Sequence, residues 1–135
     1  GQHSATETLD SVARSLPALL RSEKIQKKAA KSGFSWESLD ESLDKLEEAT
    51  ARLRRACTSG GDADEALGGV LFAAVNTAIR LDADPEQTLH HSCEQFIRRF
   101  GEAEQRAEAA GVSLAQRSKE EMNLLWDAQK SKQDP

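Results

Sequence analysis

Residues 67–81 read LGGVLFAAVNTAIRL and form the most apolar segment of the chain. Their apolar residues recur at helical i, i+3 and i+4 spacing, at Leu67, Leu71, Ala74, Val75, Ala78 and Ile79. Glycine, alanine and valine dominate the segment, so a partner helix could approach it closely. The pattern predicts a central core helix within an all-α bundle of four to five helices. We expect the core to contain Leu46, Leu53, Leu71, Val75, Ile79, Phe96 and Phe100.

The segments on either side of this helix carry helical patterns of their own. We expect a helix from near Pro17 to Gly33, a second at about 37–56, and a fourth from Asp84-Pro85 to about Ala110. The capping-box pattern of Ser118 and Glu121 predicts a short last helix through 126. Residues 1–8 are interpreted as an irregular tag remnant or linker end, 9–130 as one helical domain, and 131–135 as a disordered tail.

Composition excludes several classes of function. The chain has 135 residues, of which 38% are hydrophobic and 30% charged, and its formal net charge is −5. An acidic chain is not expected to bind nucleic acid, and no apolar run approaches the ~20 residues of a membrane span. Because Cys57 and Cys93 lie in helical patterns without metal-ligand spacing, we expect reduced thiols and a cytoplasmic protein.

Two charged clusters leave their interpretation open. Asp44, Glu47 and Glu48 are either a solvated acidic face or carboxylates that hold a divalent metal. The next helix offers only Asp64 and Glu65, at its start. The basic residues of 22–31 are likewise either solvated or in contact with phosphate. The three histidines do not converge, and no P-loop or dinucleotide fingerprint is present.

Five segments, in order and spacing, carry a family resemblance: LPALLRSEKIQKKAAKSGFSW, LDKLEE, LFAAVNTAIRL, DPEQTLHHSCEQFIRRF and LLWDAQK. Together they resemble the MazG family of all-α nucleoside triphosphate pyrophosphohydrolases, over about 9–130. The chain looks most like the C-terminal domain of two-domain members. The resemblance implies a homodimer that uses magnesium to cleave nucleoside triphosphates into monophosphate and pyrophosphate. The family holds its metal with E-x-x-E on one helix and E-x-x-D on the next.

The chain departs from the family at these metal positions. Alignment with the family motifs places Ala49 and Arg52 at the E-x-x-E positions, and Ala66 and Gly69 at the E-x-x-D positions. Glu48 and Glu65 each stand one residue before a ligand position, which is ~100° of helix rotation away. Asp44, Glu48 and Glu65 therefore remain only as weak alternatives for a metal in a shifted register.

Other residues of the family's nucleotide pocket are kept. The resemblance gives Asn76, Arg80, Arg98, Arg99, Trp126 and Lys130 as nucleotide-binding candidates. The alternatives are that Arg98 and Arg99 are ordinary surface residues and that Trp126 only packs. Gln95 replaces the lysine of the family's KFxRRF motif, and Cys93 replaces an asparagine.

Three functional hypotheses follow from the resemblance and the departures. The first is a catalytically degenerate domain, a pseudoenzyme without a resident cofactor that serves for dimerisation or for binding nucleoside triphosphate. The second is an active, magnesium-dependent hydrolase with a shifted metal site. The third places catalysis in an N-terminal domain outside this chain. Under the first we expect no tight Mg²⁺ site, and any nucleotide binding near Arg52 should be weak and independent of magnesium. The alternative is that Arg52 points to solvent and nothing binds.

Overall fold

The computed structural model of the chain describes residues 4–34, 38–113 and 123. Within these ranges it contains five α-helices and no strand: α1 (Ala5–Asp10), α2 (Ala18–Lys31), α3 (Leu39–Ser59), α4 (Ala63–Arg80) and α5 (Pro85–Ala109). The all-α prediction is confirmed. None of these helices is by itself long and apolar enough to cross a membrane. The chain divides into two compact units, residues 1–86 and 87–135.

Side-chain caps fix where the helices begin. The side chain of Ser38 accepts a hydrogen bond from the Glu41 backbone N–H at 3.1 Å, and α3 starts at the next residue. Asp62 caps α4 in the same way, accepting from the N–H of Glu65 at 3.0 Å. Gly60 ends α3 in the left-handed region, with φ of 77°, which glycine adopts without steric cost. Compared with the helix predicted over 37–56, α3 begins two residues later and ends three residues later.

The two ends of the chain differ from expectation in different ways. The irregular start predicted for 1–8 lies outside the described residues over 1–3, and it is wrong over 5–8, which belong to α1. Ser4 caps this helix by accepting a hydrogen bond from the Glu7 N–H at 3.2 Å. Pro17, which has no N–H to donate, stands directly before α2. The predicted helix 118–126 lies outside the described residues apart from Asn123, which is helical, and the predicted tail 131–135 lies outside them as well.

The first unit is organised on the pair α3 and α4. Ser42, near the start of α3, contacts Asn76, near the end of α4. Arg52, later in α3, contacts Glu65, near the start of α4. The two helices are therefore antiparallel, joined by a short connection at 60–62. In addition, α2 packs against α4, and α1 packs against α2. The positions predicted to correspond to the family's metal ligands, Ala49, Arg52, Ala66 and Gly69, are thus brought onto two facing helices.

The predicted core is confirmed only in part. Val75 is 2% exposed, and Leu46, Leu53, Ile79 and Phe100 are half-buried. The prediction is wrong for Leu71 and Phe96, which are 53% and 41% exposed. The buried residues of α4 are instead mostly small or polar, namely Ala66, Ala73, Val75, Asn76 and Thr77. Small side chains let two helix backbones approach closely, so the packed face of α4 is not its most apolar face.

Candidate functional site

The four positions predicted to have lost the family's metal ligands lie on the facing helices of the antiparallel pair. Ala49 and Arg52 are on α3, one turn apart, and Ala66 and Gly69 are on α4, also one turn apart. Ala66 is buried, Ala49 and Gly69 are half-buried, and Arg52 is exposed. A Cβ built on Gly69 meets no atom within 4 Å, so the fold leaves room for a side chain there. The absence of a carboxylate at Gly69 is thus not forced by crowding.

Arg52 forms an ion pair across the two helices. Its Nη2 lies 3.5 Å from Oε1 of Glu65, and the two side chains are 64% and 68% exposed. Such solvated pairs contribute only ~0–1 kcal/mol to stability. The guanidinium therefore stands beside an acidic residue of α4 at a position where the family pattern has a carboxylate. Its positive charge is partly neutralised by Glu65, so Arg52 attracts phosphate less strongly than an unpaired arginine would.

The alternative metal ligands do not form a cluster. Glu48 pairs with Lys45 on its own helix at 3.2 Å, Glu65 pairs with Arg52, and Asp44 is exposed on α3. Across the described ranges, no group of three or more His, Cys, Asp or Glu side chains is placed to hold a metal ion. The shifted register considered for Asp44, Glu48 and Glu65 thus requires these side chains to rearrange.

Asn76 is at the centre of a buried hydrogen-bond network. Ser42, which is fully buried, donates from Oγ to Oδ1 of Asn76 at 2.6 Å, and Asn76 donates from Nδ2 to Oε1 of Gln26 at 3.0 Å. Gln26 in turn donates from Nε2 to the Phe72 carbonyl at 3.0 Å and to Ser22 at 3.1 Å. The network joins α2, α3 and α4. The two amides are bonded to each other, so Asn76 links the three helices within the buried network.

A pocket of about 170 Å³ opens beside this network. Its lining comes from α1, α2, the residues after α2, and α4: Leu9, Ile25, Gln26, Ala29, Ala30, Phe34, Phe72, Asn76, Ile79 and Arg80. The walls are mainly apolar, and Arg80 supplies the positive charge. Asn76 and Arg80, two of the predicted nucleotide-binding residues, are therefore brought together at one pocket, whereas Ala49, Arg52, Ala66 and Gly69 are not among the residues that line it.

The remaining predicted nucleotide-binding residues belong to the second unit or lie outside the described ranges. Arg98 is exposed on α5, and Arg99 is 8% exposed with an Nε that has no hydrogen-bond partner in the described part of the chain. Gln95, at the family's lysine position, is half-buried. Cys57 and Cys93 are free and exposed. Trp126 and Lys130 lie outside the described residues.

Sequence reasoning missed Gln26 and Ser42. One signal could have indicated them: Asn76 is a lone amide in the most apolar helix, and a buried amide needs partners. Gln26 and Ser42 are polar residues on predicted amphipathic helices, so they were available as partners. The sequence does not say which polar residue of a neighbouring helix meets Asn76, because that depends on helix register.

The amino-acid sequence of the chain is similar to those of several known proteins. The chain is 39% identical over 129 residues to a nucleoside triphosphate pyrophosphohydrolase of Escherichia coli, in a match covering 93% of this chain and 48% of that protein. It is 30% identical over 115 residues to the nucleoside triphosphate pyrophosphohydrolase/pyrophosphatase MazG of Thermotoga maritima, which covers 85% of this chain and 45% of that one. A 64-residue segment is 41% identical to the uncharacterised protein YabN of Bacillus subtilis, covering 47% of this chain and 13% of YabN.

The chain spans about half the length of the first two relatives. No protein-family model matches it. The similarity to these two relatives nevertheless extends over most of the chain, and the described residues are all-helical, as the resemblance implied. On these grounds the chain belongs to the MazG family.

Proposed function

We propose that this chain is a catalytically degenerate MazG domain, which keeps the helical fold as a dimerisation or nucleotide-binding module and does not hydrolyse nucleoside triphosphates. The observation that carries the proposal is the Arg52–Glu65 ion pair at 3.5 Å, formed between the two helices that bear the metal positions. A guanidinium is a permanent cation and cannot ligate Mg²⁺. With Ala49, Ala66 and Gly69 at the other three positions, none of the four aligned side chains offers an oxygen donor to magnesium.

Charge supports the same conclusion. Relative to the family pattern, replacement of four carboxylates by Ala49, Arg52, Ala66 and Gly69 removes four negative charges and adds one positive charge. A divalent cation is repelled by that change, and the nearby Glu65 is already paired. Nucleotide binding, where it occurs, is expected to be weak and independent of magnesium.

The competing proposal is an active hydrolase that uses Asp44, Glu48 or Glu65, or an additional domain, for catalysis. Both proposals are separated by measuring pyrophosphate release from a panel of nucleoside triphosphates with Mg²⁺ or Mn²⁺, with the Escherichia coli relative as positive control. We expect no protein-dependent release. Turnover that is lost in Glu48→Gln or Glu65→Gln would establish a shifted site and overturn the degenerate reading.

A gain-of-function variant makes the test sharper. The quadruple variant Ala49→Glu, Arg52→Glu, Ala66→Glu and Gly69→Asp restores the family's ligand set. Space at Gly69 favours the aspartate, whereas the glutamate at buried Ala66 needs local adjustment, so helicity is checked first by circular dichroism. Magnesium-dependent release by the folded quadruple variant, but not by the parent chain, is the expected result.

A dimer is the second part of the proposal, and an uncovered apolar face supports it. Leu67 and Leu71 on α4 are 46% and 53% exposed, and Leu39 and Leu43 on α3 are 37% and 38% exposed. Leu43 and Leu67 each follow a buried residue, Ser42 or Ala66, by one position. In an antiparallel pair, the same ~100° rotation moves both leucines to the same side of the two helices.

The charges along α3 favour a second copy of this chain as the partner on that face. The first half of α3 is acidic, with Asp40, Glu41, Asp44, Glu47 and Glu48, and the second half carries Arg52, Arg54 and Arg55. A two-fold axis that crosses α3 at its middle aligns the acidic half of one copy with the basic half of the other.

The dimer is tested by light scattering at tens of micromolar. We expect twice the monomer mass for the parent chain and the monomer mass for Leu71→Glu, with unchanged helicity. Phe34→Ser is the matched control, because Phe34 is an exposed apolar residue that is not on this face. A monomer mass for the parent chain would overturn the dimer.

A further inference from the structure

We propose that the pocket formed by α1, α2 and α4 binds a small aromatic anion, a single ring that carries one carboxylate or phosphate group. The pocket lies within residues 1–86, and its occupancy requires no metal. The pocket contains Asn76 and Arg80, two of the nucleotide-binding candidates, and does not contain Ala49, Arg52, Ala66 or Gly69. The proposal goes beyond the function proposed above because its ligand is a single-ring anion and not a nucleoside triphosphate.

The positive charge of the pocket is that of Arg80, and no carboxylate among the described residues pairs with it. Arg80 is half-buried, and its Nε is buried without a hydrogen-bond partner in the described part of the chain. No ion pair to Arg80 occurs within the described ranges either. A guanidinium that is partly removed from water and lacks a carboxylate gains from an anion that accepts its hydrogen bonds.

The size and walls of the pocket fit one aromatic ring. The side chains of Ile25, Ala29, Phe72 and Ile79 provide apolar surface around a volume of about 170 Å³. Apolar cavities of about 150 Å³ hold a benzene molecule, so a monocyclic ligand fits this volume. The ring of Phe72 offers an aromatic surface against which a ligand ring can pack.

The polar groups in the wall do not favour a different ligand. Gln26 and Asn76 are bonded to each other, and their remaining bonds go to Ser42, Ser22 and the Phe72 carbonyl. Because each amide already has at least two hydrogen-bond partners in the network, a ligand need not supply hydrogen bonds to keep them paired. Recognition therefore depends on the apolar walls for the ring and on Arg80 for the charge.

The test is a titration of the full chain followed by the backbone amide NMR shifts of Ala29, Ala30 and Phe72. The probes are benzoate, phenyl phosphate, benzyl alcohol and inorganic phosphate. We expect saturable shifts with both aromatic anions, and affinities about tenfold weaker for the uncharged ring and for the ring-free anion. The tighter of benzoate and phenyl phosphate identifies the anionic group. Absence of saturable shifts with both, or equal affinity for benzyl alcohol, overturns the proposal.

Variants assign the charge to Arg80. In Arg80→Gln the affinity for benzoate is expected to fall about tenfold while that for benzyl alcohol is unchanged, with Arg80→Lys between them. Arg54→Gln, an exposed arginine of α3 outside the pocket, is the control and should bind benzoate normally. Should Arg80→Gln fail to fold, Ala30→Leu fills the pocket instead and should abolish binding. Normal benzoate affinity in the folded Arg80→Gln contradicts the assignment of the charge to Arg80, and normal affinity in Ala30→Leu contradicts the assignment of the ligand to this pocket. None of these measurements depends on pyrophosphate release, so the two proposals fail separately.

Discussion

One face of α4 is packed and a neighbouring face is exposed, although the exposed face is the more apolar of the two. The packed face carries Ala66, Ala73, Asn76 and Thr77, all less than 10% exposed, whereas Leu71 is 53% exposed. The comparison shows that close helix packing in this chain follows side-chain size and polar pairing rather than hydrophobicity. The apolar face is then left available for a partner.

The buried network is expected to show the largest effect. Asn76→Leu removes the acceptor of the Ser42 hydroxyl and the donor to Gln26, leaving two buried polar groups unpaired. The free energy of unfolding, measured by urea denaturation, should fall by about 2–4 kcal/mol. Ser42→Ala, which leaves only the Asn76 oxygen unpaired, should lose about half as much.

The double variant is the control for this prediction. Ser42→Ala combined with Asn76→Leu removes both partners of one hydrogen bond, so its loss should be smaller than the sum of the two single losses. Strict additivity would mean that the two side chains do not interact as the 2.6 Å distance indicates.

A pair of adjacent substitutions compares the two faces directly. Ala73→Leu inserts three carbon atoms into the packed face, where Ala73 is 8% exposed, and should lower the free energy of unfolding by about 1–3 kcal/mol. Ala74→Leu makes the same chemical change at an exposed position one residue on, and should alter stability by less than ~0.5 kcal/mol. Denaturation at low concentration, below dimer formation, isolates the effect within one chain. Equal losses would contradict the assignment of the packed face.

The Arg52–Glu65 pair should have the smallest effect on stability. Both side chains are about two-thirds exposed, so water and salt screen their attraction. A double-mutant cycle with Arg52→Gln and Glu65→Gln should give a coupling energy below about 0.5 kcal/mol that decreases as salt is raised. A coupling above ~1.5 kcal/mol would show instead that this pair holds α3 and α4 together.

The sequence predicted much of the fold because local signals are strong at the helix ends. Asp84 was recognised as an N-cap before Pro85, and its side chain does accept a hydrogen bond from the N–H of Glu86 at 3.0 Å. Gly33 and Gly111 were correctly placed at helix ends, and both have positive φ. Ser4 was missed as a cap because α1 is a six-residue helix, too short to give a clear apolar period.

The candidate site was predictable only in its residue types. Comparison with the family motifs identified the replaced positions, including Arg52 and Gly69, without any coordinates. The sequence could not show that Arg52 meets Glu65, since the two residues are 13 positions apart on different helices. The sequence also did not indicate that the side chain of Asn76, a predicted nucleotide-binding residue, is hydrogen-bonded to Ser42 and Gln26.

The sequence by itself determined the helical class, the approximate helix boundaries and the family, because each depends on local pattern or on aligned positions. The replacement of the family's metal ligands stays a prediction from the aligned motifs. Only the tertiary structure decided which face of α4 is buried, which side chains pair, and where a pocket forms. Those features depend on the rotation and register of α2, α3 and α4 against one another, and a one-residue shift rotates a helix face by ~100°. An apolar stripe predicts that a helix face is buried, but it does not show whether the face packs inside the same chain or against a partner.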